Sequence, residues 1–393
     1  MKKVTAVMVG LGRYGTKIAK YILPRTEELG IEIVGVVDPG YDYSPMKEEM
    51  DKLQVPHYAA LEEFYQEHKA DLAILSSPIQ FHEAHCITAM RNGSDVLCEK
   101  PTAATVAQSD RMAAVAKETG RNLHIGFQLS YAPAILELKK DILAGRFGKP
   151  LSMDSLTCWP RDSAYYARPW CAKLYMDGQP VLDSIAMNAC AHYLHAVFFL
   201  LGDAMDRSAM PTEIESLLCR ANDIETFDTA MLKLTVKGVP FLYMATHTTA
   251  GRFEPMVRLR FEKATVEISD WAENDYVRVT HEDGTVKDYG KVRPELFRKI
   301  PYCCDVVRGS EKPICTPETA KPHLLCINAI TQLTPVQTLT DTEVIDDIIV
   351  VKGLEEILRQ AYDENKMPWE LTDRFGTPTH IELAGYTGWR DEQ

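Results

Sequence analysis

Three glycines near the start of the chain, Gly10, Gly12 and Gly15, have the spacing G-x-G-x-x-G. They follow a short apolar run and precede a run with helical periodicity, which is typical of a turn between a strand and a helix. Such a turn presents backbone N–H groups and a helix N-terminus at one point, where phosphate groups bind. The first glycine allows the turn, the second lets a pyrophosphate approach, and the third lets helix and strand pack closely.

A carboxylate follows at the spacing of a dinucleotide site. Asp38 directly follows a second predicted strand, 31–37, and lies 23 residues after Gly15 (38 − 15). A carboxylate there can accept hydrogen bonds from both ribose hydroxyls of NAD and would repel a 2′-phosphate. The sequence therefore predicts a dinucleotide site with NAD as the cofactor. The alternative is a similar fold whose site is empty or binds a mononucleotide.

A lysine at the end of a later strand could take part in alcohol chemistry. Segment 95–98 is predicted to be a strand, and Glu99, Lys100 and Pro101 follow it directly. Ligands bind at the carboxyl ends of strands in parallel sheets, and Pro101 restricts the backbone of Lys100. An ammonium group at this place can stabilise a developing alkoxide and share in proton transfer. A surface lysine is the alternative interpretation.

Asn188, His192 and His195 recur at steps of four and three residues within segment 183–201, which is predicted to be one helix. This spacing would place all three on one helical face. His192 is the candidate proton acceptor, and a buried core histidine is the alternative. Because no third ligand accompanies His192 and His195, no metal site is predicted.

Segment 161–173 is dense in polar and aromatic residues. Aromatic faces suit the C–H surface of a sugar ring, while arginine and lysine suit hydroxyl groups or a carboxylate. A packed surface loop with exposed charges is the alternative. His247, at a later strand end, is interpreted as a core residue. The predicted substrate wall consists of Tyr165, Arg168, Trp170 and Lys173.

Strand and helix patterns alternate up to about residue 127, which predicts a doubly wound parallel α/β sheet of the Rossmann type. Beyond residue 130 the pattern predicts an α+β domain with a large, mostly antiparallel open sheet, including a strand at 257–268 and a hairpin turn at 282–285. We therefore expect an N-terminal domain over 1–128 and a second domain over 129–393. The tail after Pro368 is predicted to be irregular.

The composition restricts the class of partner. With 393 residues, 46% hydrophobic and 25% charged, the chain resembles an ordinary globular protein of two or three domains. A net charge of −13 without a basic patch argues against nucleic acid and anionic membranes as partners. No stretch has the length of a membrane span. Ten scattered cysteines without a C-x-x-C pair suggest reduced thiols, so a cytoplasmic location is expected.

Taken in order along the chain, these motifs resemble the Gfo/Idh/MocA oxidoreductases, the family of glucose-fructose oxidoreductase and inositol dehydrogenase. The resemblance implies a Rossmann domain followed by an open-sheet domain that binds substrate and makes the oligomer contact. It also implies a nicotinamide cofactor and a sugar, polyol or related secondary alcohol as substrate. The motifs that carry it are the glycine fingerprint, Asp38, Ser76-Ser77-Pro78 with His82, Glu99-Lys100-Pro101 and Gly126-Phe127-Gln128.

The resemblance implies roles for single residues. It makes Lys100 and His192 the catalytic residues, because His192 lies ten residues before Gly202 (202 − 192), as the family's histidine does. Lys100, Asn188 and His192 are also expected to contact the substrate. Cofactor contacts are expected from Gly10, Gly12, Arg13, Tyr14, Gly15, Asp38, Ser76, Ser77, Pro78, His82, Glu99, Lys100 and Gln128.

One residue departs from the family pattern. Asn188 stands where family members usually carry aspartate. Asparagine can bind a hydroxyl group, but it cannot act as a base or raise the basicity of a neighbour. Either His192 acts with Lys100 alone, or Asp183 compensates from nearer the start of the segment.

The sequence thus predicts an NAD-dependent oxidoreductase that moves a hydride between a nicotinamide cofactor and a CH–OH group of a sugar, polyol or sugar-derived alcohol. A redox glycosidase that holds NAD tightly uses the same residues and remains open. A non-catalytic dinucleotide sensor is disfavoured by the intact Lys100 and His192, and a structural protein by the density of site residues. A homodimer or homotetramer is expected.

Overall fold

The structure is a computed structural model that describes residues 2–390. It divides into two compact units. The first unit comprises the chain up to Ala103, Ala107–Tyr131 and Leu296–Ala320, and the second comprises Ala104–Val106, Ala132–Glu295 and the chain from Lys321 onward. The sequence placed a single boundary after residue 128, whereas the chain returns to the first unit for residues 296–320.

The first unit is built on six parallel strands. They are β1 (Val4–Val9), β2 (Ile31–Val37), β3 (His57–Tyr58), β4 (Leu72–Leu75), β5 (Asp95–Cys98) and β6 (Leu123–Ile125). Their order is β3-β2-β1-β4-β5-β6, which confirms the predicted Rossmann sheet. β4 and β5 are buried along their whole length, and this explains the apolar sequence of β4 and of residues 96–98 in β5. The strand order reverses between β1 and β4, which is where such sheets bind ligands.

Six helices accompany these strands. They are α1 (Arg13–Ile22), α2 (Thr26–Leu29), α3 (Lys47–Lys52), α4 (Leu61–Glu67), α5 (His82–Arg91) and α6 (Val106–Thr119). α1 forms because its apolar residues recur at helical spacing, and it buries Ile18, Ala19 and Ile22. α5 ends before Gly93, whose φ of +93° suits glycine.

The second unit is dominated by a ten-stranded sheet that is mostly antiparallel, as predicted. The strands of the unit are β7 (Pro150–Cys158), β8 (Tyr175–Met176), β9 (Gln179–Pro180), β10 (Pro211–Arg220), β11 (Thr229–Val236), β12 (Val239–Thr246), β13 (Phe253–Phe261), β14 (Ala264–Trp271), β15 (Asn274–His281), β16 (Val286–Gly290), β17 (Val336–Thr338), β18 (Thr342–Ile345), β19 (Ile348–Val351) and β20 (Thr379–Glu382). The order of the large sheet is β16-β15-β14-β13-β7-β12-β11-β10-β17, and β20 also pairs with β10. Only the β7–β12 and β10–β17 pairs of this sheet run parallel within the described residues.

The remaining helices are α7 (Pro133–Leu143), α8 (Ser163–Tyr166), α9 (Ala191–Leu200), α10 (Lys299–Val307), α11 (Pro317–Leu333) and α12 (Leu354–Glu364). All ten residues of α9 are buried, so this helix lies in the core of the second unit. α12 is amphipathic and packs Leu354 and Leu358 against the sheet residues Leu156 and Met244. These contacts explain why both helices have a strong apolar pattern.

The prediction of one helix over 183–201 is wrong in extent, because α9 begins at Ala191. In the preceding turns, Ser184 Oγ accepts from the Met187 amide at 3.2 Å and Asp183 accepts from the Ala172 amide at 2.6 Å. Short polar side chains that bond to the backbone compete with helix formation. Asn188 therefore lies outside the helix that carries His192 and His195, and the predicted shared face is wrong for Asn188.

The predicted strand at 257–268 is two strands, β13 and β14, which turn at Glu262 and Lys263. The amides of these two residues donate to the carbonyls of Lys149 and Phe147. The turn is thus fixed by a segment distant in sequence, and Glu-Lys is not a typical turn pair. The tail after Pro368 is not wholly irregular, because β20 pairs antiparallel with β10.

Helix α10 completes the hydrophobic core of the first unit. Ile300, Cys303 and Cys304 are fully buried among side chains of β1, β2 and α1. Arg308, directly after the helix, donates to the carbonyls of Lys2, Leu29 and Gly30. Segment 296–320 is therefore an integral part of the first unit.

Candidate active site

The register of the parallel sheet brings five predicted site positions to one edge. Val9 pairs with both Val37 and Leu75, and Leu75 pairs with Cys98. Cys98 in turn pairs with Ile125. The residues that follow these strand ends are therefore neighbours at the carboxyl edge, namely Gly10, Asp38, Ser76, Glu99 and Gly126.

The glycine loop has the shape that a pyrophosphate needs. Gly10 has a φ of +87°, and a Cβ at this residue would lie 2.9 Å from the carbonyl carbon of Ser76. A Cβ at Gly15 would overlap the carbonyl oxygen of Gly10. At Gly12, by contrast, no described atom lies within 4 Å of the Cβ position. The loop thus requires glycine at two positions and leaves open space at the N-terminus of α1, as a bound dinucleotide requires.

Asp38 fastens the loop to the end of β2. Its Oδ2 accepts from the Leu11 amide at 2.6 Å, and its Oδ1 accepts from the Gly40 amide at 2.7 Å. Each carboxylate oxygen retains a further lone pair for a ligand. The half-buried carboxylate therefore can accept ribose hydroxyl groups and would repel a phosphate in their place.

The residues after β4 are joined to the glycine loop and to α5. Ser76 Oγ donates to the carbonyl of Gly10 at 2.8 Å. Ser77 Oγ lies 3.0 Å from Nδ1 of His85. Burial, together with nearby His82, lowers the pKa of His85 to about 4, so this ring is neutral at pH 7. Ser76 and Ser77 are half-buried at the edge where the sequence predicted cofactor contacts.

His82 is 1% exposed and joins two segments of backbone. Its Nε2 lies 2.9 Å from the carbonyl oxygen of Ser77, and its Nδ1 lies 2.9 Å from that of Pro101. Carbonyl oxygens only accept, so both ring nitrogens donate and the ring is protonated. Burial lowers the pKa of His82, but Cys98 and the two carbonyls outweigh burial and raise the pKa to about 9. The ring nitrogens thus hold the protein backbone, and a cofactor contact of His82 stays a prediction.

Glu99 forms a buried ion pair with Lys299, which arrives from α10. Lys299 is 0% exposed and also donates to Tyr14 Oη at 3.2 Å and to the Gly126 carbonyl at 3.3 Å. Burial lowers the pKa of Lys299, but attraction to Glu99 outweighs burial and raises it. Glu99 and Tyr14, both predicted cofactor contacts, are thus held by a residue that the sequence analysis missed. A single lysine on an amphipathic helix is ordinarily a surface residue, so no sequence signal marked it.

Lys100 follows the carboxyl end of β5 and lies between two residues whose positions are fixed, Glu99 and Pro101. The Glu99 amide donates to the Leu75 carbonyl at 2.9 Å, and the Pro101 carbonyl accepts a hydrogen bond from His82 Nδ1. The Lys100–Pro101 peptide bond is cis. Because the buried cations Lys299 and His82 hold Glu99 and Pro101, the backbone of Lys100 is fixed while its side chain is half-buried.

The other predicted cofactor contacts lie near the same edge of the sheet. Arg13 begins α1, Pro78 follows Ser77, and Gln128 follows β6.

The second unit contains a small cavity between the loop after β7, the turns before α9 and the end of β12. Tyr165 and Asp183 both line this cavity. The structure thus brings a predicted substrate-binding residue close to Asp183, the residue proposed to compensate for the absence of an aspartate at position 188. The lining residues are Tyr165, Tyr166, Cys171, Ala172, Asp183, Ser184, Ile185, Phe227 and His247.

His247, which the sequence assigned to the core, is buried but faces this cavity. Its Nδ1 lies 2.7 Å from the Trp159 carbonyl and therefore donates. Nε2 is then an acceptor, and among residues 2–390 it has no hydrogen-bond partner, as is also true of Tyr166 Oη. Burial and nearby Arg161 lower the pKa of His247 to about 3. A neutral acceptor and a phenol in one cavity suit a hydroxylated ligand.

The predicted substrate wall is assembled in part. The Arg168 guanidinium lies 3.9 Å from the Tyr165 ring centroid and 4.5 Å from that of Trp170. The ammonium of Lys173 instead forms a partly exposed ion pair with Glu225 at 2.7 Å. Tyr165, Arg168 and Trp170 therefore form one cluster, to which the Lys173 ammonium is not joined by any described contact.

Asn188 and Asp183 act as a pair. Asn188 Nδ2 donates to Asp183 Oδ1 at 3.0 Å, and the other carboxylate oxygen accepts from the Ala172 amide.

His192 lies in the first turn of α9 and is 9% exposed, so a small part of its surface is accessible. His195 is fully buried, and burial together with His323 and Lys139 holds its pKa well below the usual value. His195 is thus a neutral core residue.

Three further findings concern the described residues as a whole. No group of three or more histidine, cysteine, aspartate or glutamate side chains is arranged to hold a metal ion within residues 2–390. Over the same span, no helix combines the length and the apolar character that crossing a membrane requires. The ten cysteines are all buried thiols.

Residues 4–127 match the profile of the Gfo/Idh/MocA family, described as an oxidoreductase family with an NAD-binding Rossmann fold. The match spans less than half of the chain and shows that residues 4–127 form an NAD-binding Rossmann domain of this family. It confirms the predicted resemblance to the family and, together with the two sheets, the predicted fold and NAD cofactor.

Two characterised relatives match shorter stretches of the chain. The scyllo-inositol 2-dehydrogenase (NAD(+)) of Bacillus subtilis is 30% identical over 158 residues, which are 39% of this chain and 44% of the relative. The 2,7-anhydro-N-acetylneuraminate hydratase of Mediterraneibacter gnavus is 28% identical over 151 residues, which are 38% of each chain. The chain thus matches less than half the length of these relatives.

Solved structures share the fold over most of the chain. The WlbA dehydrogenase of Bordetella pertussis, in complex with NADH and UDP-GlcNAcA, has a TM-score of 0.68 and 22% identity and covers 84% of this chain and 96% of its own. The aldose-aldose oxidoreductase of Caulobacter crescentus has a TM-score of 0.69 and 20% identity, with coverage of 84% and 97%. At these identities the likeness shows the fold.

Proposed function

We propose that the protein is an NAD-dependent oxidoreductase that acts on a CH–OH group of a sugar, a polyol or a sugar-derived alcohol. The observation that carries this proposal is the arrangement at one sheet edge of the open glycine loop, Asp38 and the anchored Lys100. When bound, NAD supplies the hydride acceptor for a carbinol carbon. Gly10, Gly12 and Asp38 would hold it, through the loop amides and the carboxylate.

Lys100 has the surroundings of a group that acts on the substrate oxygen. Its fixed backbone and half-buried side chain let the ammonium donate to a hydroxyl or alkoxide oxygen without large loss of conformational entropy. His192 is proposed as the proton acceptor, as expected from its register with Gly202. Asn188, held by Asp183, would then bind a hydroxyl group rather than act as a base.

Relatives support carbohydrate chemistry. The relatives named above include an inositol dehydrogenase, a dehydrogenase solved with a nucleotide sugar acid and an aldose-aldose oxidoreductase.

A second candidate function is elimination or glycoside cleavage in which the hydride returns to the substrate and NAD is not consumed. The relative named as a hydratase favours keeping this candidate. We further propose a cytoplasmic homo-oligomer.

The test is a screen of sugars, polyols and their acids with the purified protein and NAD, following the absorbance of reduced nicotinamide. We expect wild-type protein to reduce NAD with at least one member. Lys100→Met should bind NAD normally by calorimetry and lose roughly 10²- to 10⁴-fold in turnover. Product formation over many turnovers without accumulating reduced nicotinamide would support the second candidate instead.

A further inference from the structure

Two arginines beside the cavity of the second unit have no carboxylate partner among the described side chains. The guanidinium carbons of Arg161 and Arg168 lie 4.8 Å and 3.9 Å from the ring centroid of Tyr165. Arg168 donates to the Tyr165 carbonyl and to Cys171 Sγ. Nε of Arg161 is buried and has no hydrogen-bond partner. Both guanidinium groups thus retain N–H donors that the described protein atoms do not use.

The chain has 56 acidic and 43 basic residues, so carboxylates are in excess over basic side chains. Several other arginines of the second unit pair with carboxylates, whereas Arg220 donates to Thr338 Oγ1 and to the carbonyls of Ile224 and Glu225. Arg258 and Arg260 both pair with Asp154, at 3.1 and 2.5 Å. With carboxylates in excess, two cations left without one point to a ligand that brings the negative charge.

The acidic residues close to the cluster are already engaged. Asp162 accepts from the Tyr165 amide at 3.0 Å. Asp183 accepts from the Ala172 amide and from Asn188. Their lone pairs serve the backbone of the loop and the Asn188 amide, so neither carboxylate neutralises Arg161 or Arg168 at contact distance.

The cluster also offers surfaces for a sugar ring. The imidazole of His247 lies 5.3 Å from the Tyr165 ring at an interplanar angle of 63°. Its Nε2 and Tyr166 Oη face the same cavity and lack hydrogen-bond partners within the described chain. Aromatic faces suit C–H groups, and these two polar atoms suit hydroxyl groups.

We infer that this cluster binds an acidic sugar derivative, with the oxyanion of the ligand on Arg161 and Arg168. A guanidinium fork matches a carboxylate or a phosphate, so the shared chemistry is a sugar that carries an oxyanion. This inference rests on the proposed function, because it specifies the substrate class of the proposed oxidoreductase. The ring of the sugar would lie against Tyr165, and a hydroxyl group would donate to His247 Nε2.

The test compares a neutral hexose, the corresponding hexuronate and the hexose 6-phosphate. Binding to the full chain is measured by calorimetry without turnover, and kcat and KM are measured with NAD. We expect the hexuronate or the phosphate to bind at least tenfold more tightly than the neutral sugar, and the better of the two identifies the oxyanion. Arg161→Gln and Arg168→Gln should each weaken binding of that ligand tenfold or more and weaken binding of the neutral sugar by a much smaller factor.

Arg278→Gln is the matched control, because it removes one positive charge from an exposed pair with Asp288. Arg278→Gln should change the affinity for neither the neutral sugar nor the acidic sugar. Arg168→Lys retains the charge but not the fork, and we expect several-fold weaker binding even if the Gln variants fold poorly. Equal binding of neutral and acidic sugars, or an equal loss in Arg278→Gln, would overturn the inference. If the hexuronate or the hexose 6-phosphate binds but no NAD is reduced, the result would support the anion-binding site and contradict the proposed oxidoreductase activity.

Discussion

At the scale of residues, Asp38 has two tasks that a substitution can separate. It holds the glycine loop through Leu11 and Gly40, and it is expected to exclude a 2′-phosphate. Asp38→Asn keeps an oxygen acceptor for one of these amides and removes the charge. We expect the preference for NAD over NADP to fall by roughly tenfold to a hundredfold, about 1.4–3 kcal/mol, in binding titrations with both cofactors. A wild-type protein that binds NADP as tightly as NAD would contradict this role.

His82 links stability to pH. Its pKa is raised to about 9 in the folded protein, against about 6.5 in an unfolded chain. The folded state therefore keeps a proton that the unfolded state loses between these values, so the stabilisation is complete below about pH 6.5 and is lost as pH rises to 9. Urea unfolding from pH 6 to 9.5 should show this decline in wild type and a flatter profile in His82→Gln.

His85→Gln is the matched control for His82. The pKa of His85 is lowered to about 4, so its contribution to stability is present above about pH 6.5 and is lost as pH falls. This variant should therefore change the acidic side of the profile and leave the slope between pH 6.5 and 9 as in wild type. An identical alkaline slope in His82→Gln would show that the ring is not protonated in the folded protein.

At the scale of elements, local motifs were predictable and long-range partners were not. The glycine loop and Asp38 follow strand ends within one βαβ unit, so spacing alone placed them. Glu99 and Lys299 are 200 residues apart, and a buried lysine has no signature of its own. The helix start at Ala191 was missed because the hydrogen bonds of Asp183 and Ser184 become visible only in the folded structure.

The ion pair that anchors α10 gives a prediction at this scale. Lys299→Met would leave the Glu99 carboxylate buried without its partner, which typically costs about 3–5 kcal/mol. We expect a clear fall in melting temperature and weaker NAD binding, because Tyr14 and Gly126 lose the same donor. The double variant Lys299→Met with Glu99→Gln should recover part of the stability. Equal melting temperatures for wild type and Lys299→Met would contradict an anchoring role.

At the scale of the whole molecule, the discontinuous first unit explains why a single sequence boundary could not describe it. The alternation of strands and helices ends near residue 127, and nothing in the composition of 296–320 marks a return to the first unit. Only packing reveals it, through Ile300, Cys303 and Cys304 in the core and Arg308 on the carbonyls of Leu29 and Gly30. Hydrophobic periodicity predicts which face of a helix is buried, but it does not predict which unit covers that face.

The same packing predicts how fragments behave. Residues 1–131 alone lack the apolar residues of α10 and leave Glu99 without Lys299, so we expect no cooperative thermal unfolding by circular dichroism and no NAD binding by calorimetry. A chain that joins 1–131 to 296–320 through a short glycine-serine linker should recover both. Tyr131 already lies beside segment 296–320, because its Oη lies 3.4 Å from the Cys315 carbonyl and its ring packs on Tyr302. Lys299→Met in the joined chain is the control, and cooperative unfolding with full NAD binding by 1–131 alone would show that 296–320 merely covers a unit that folds without it.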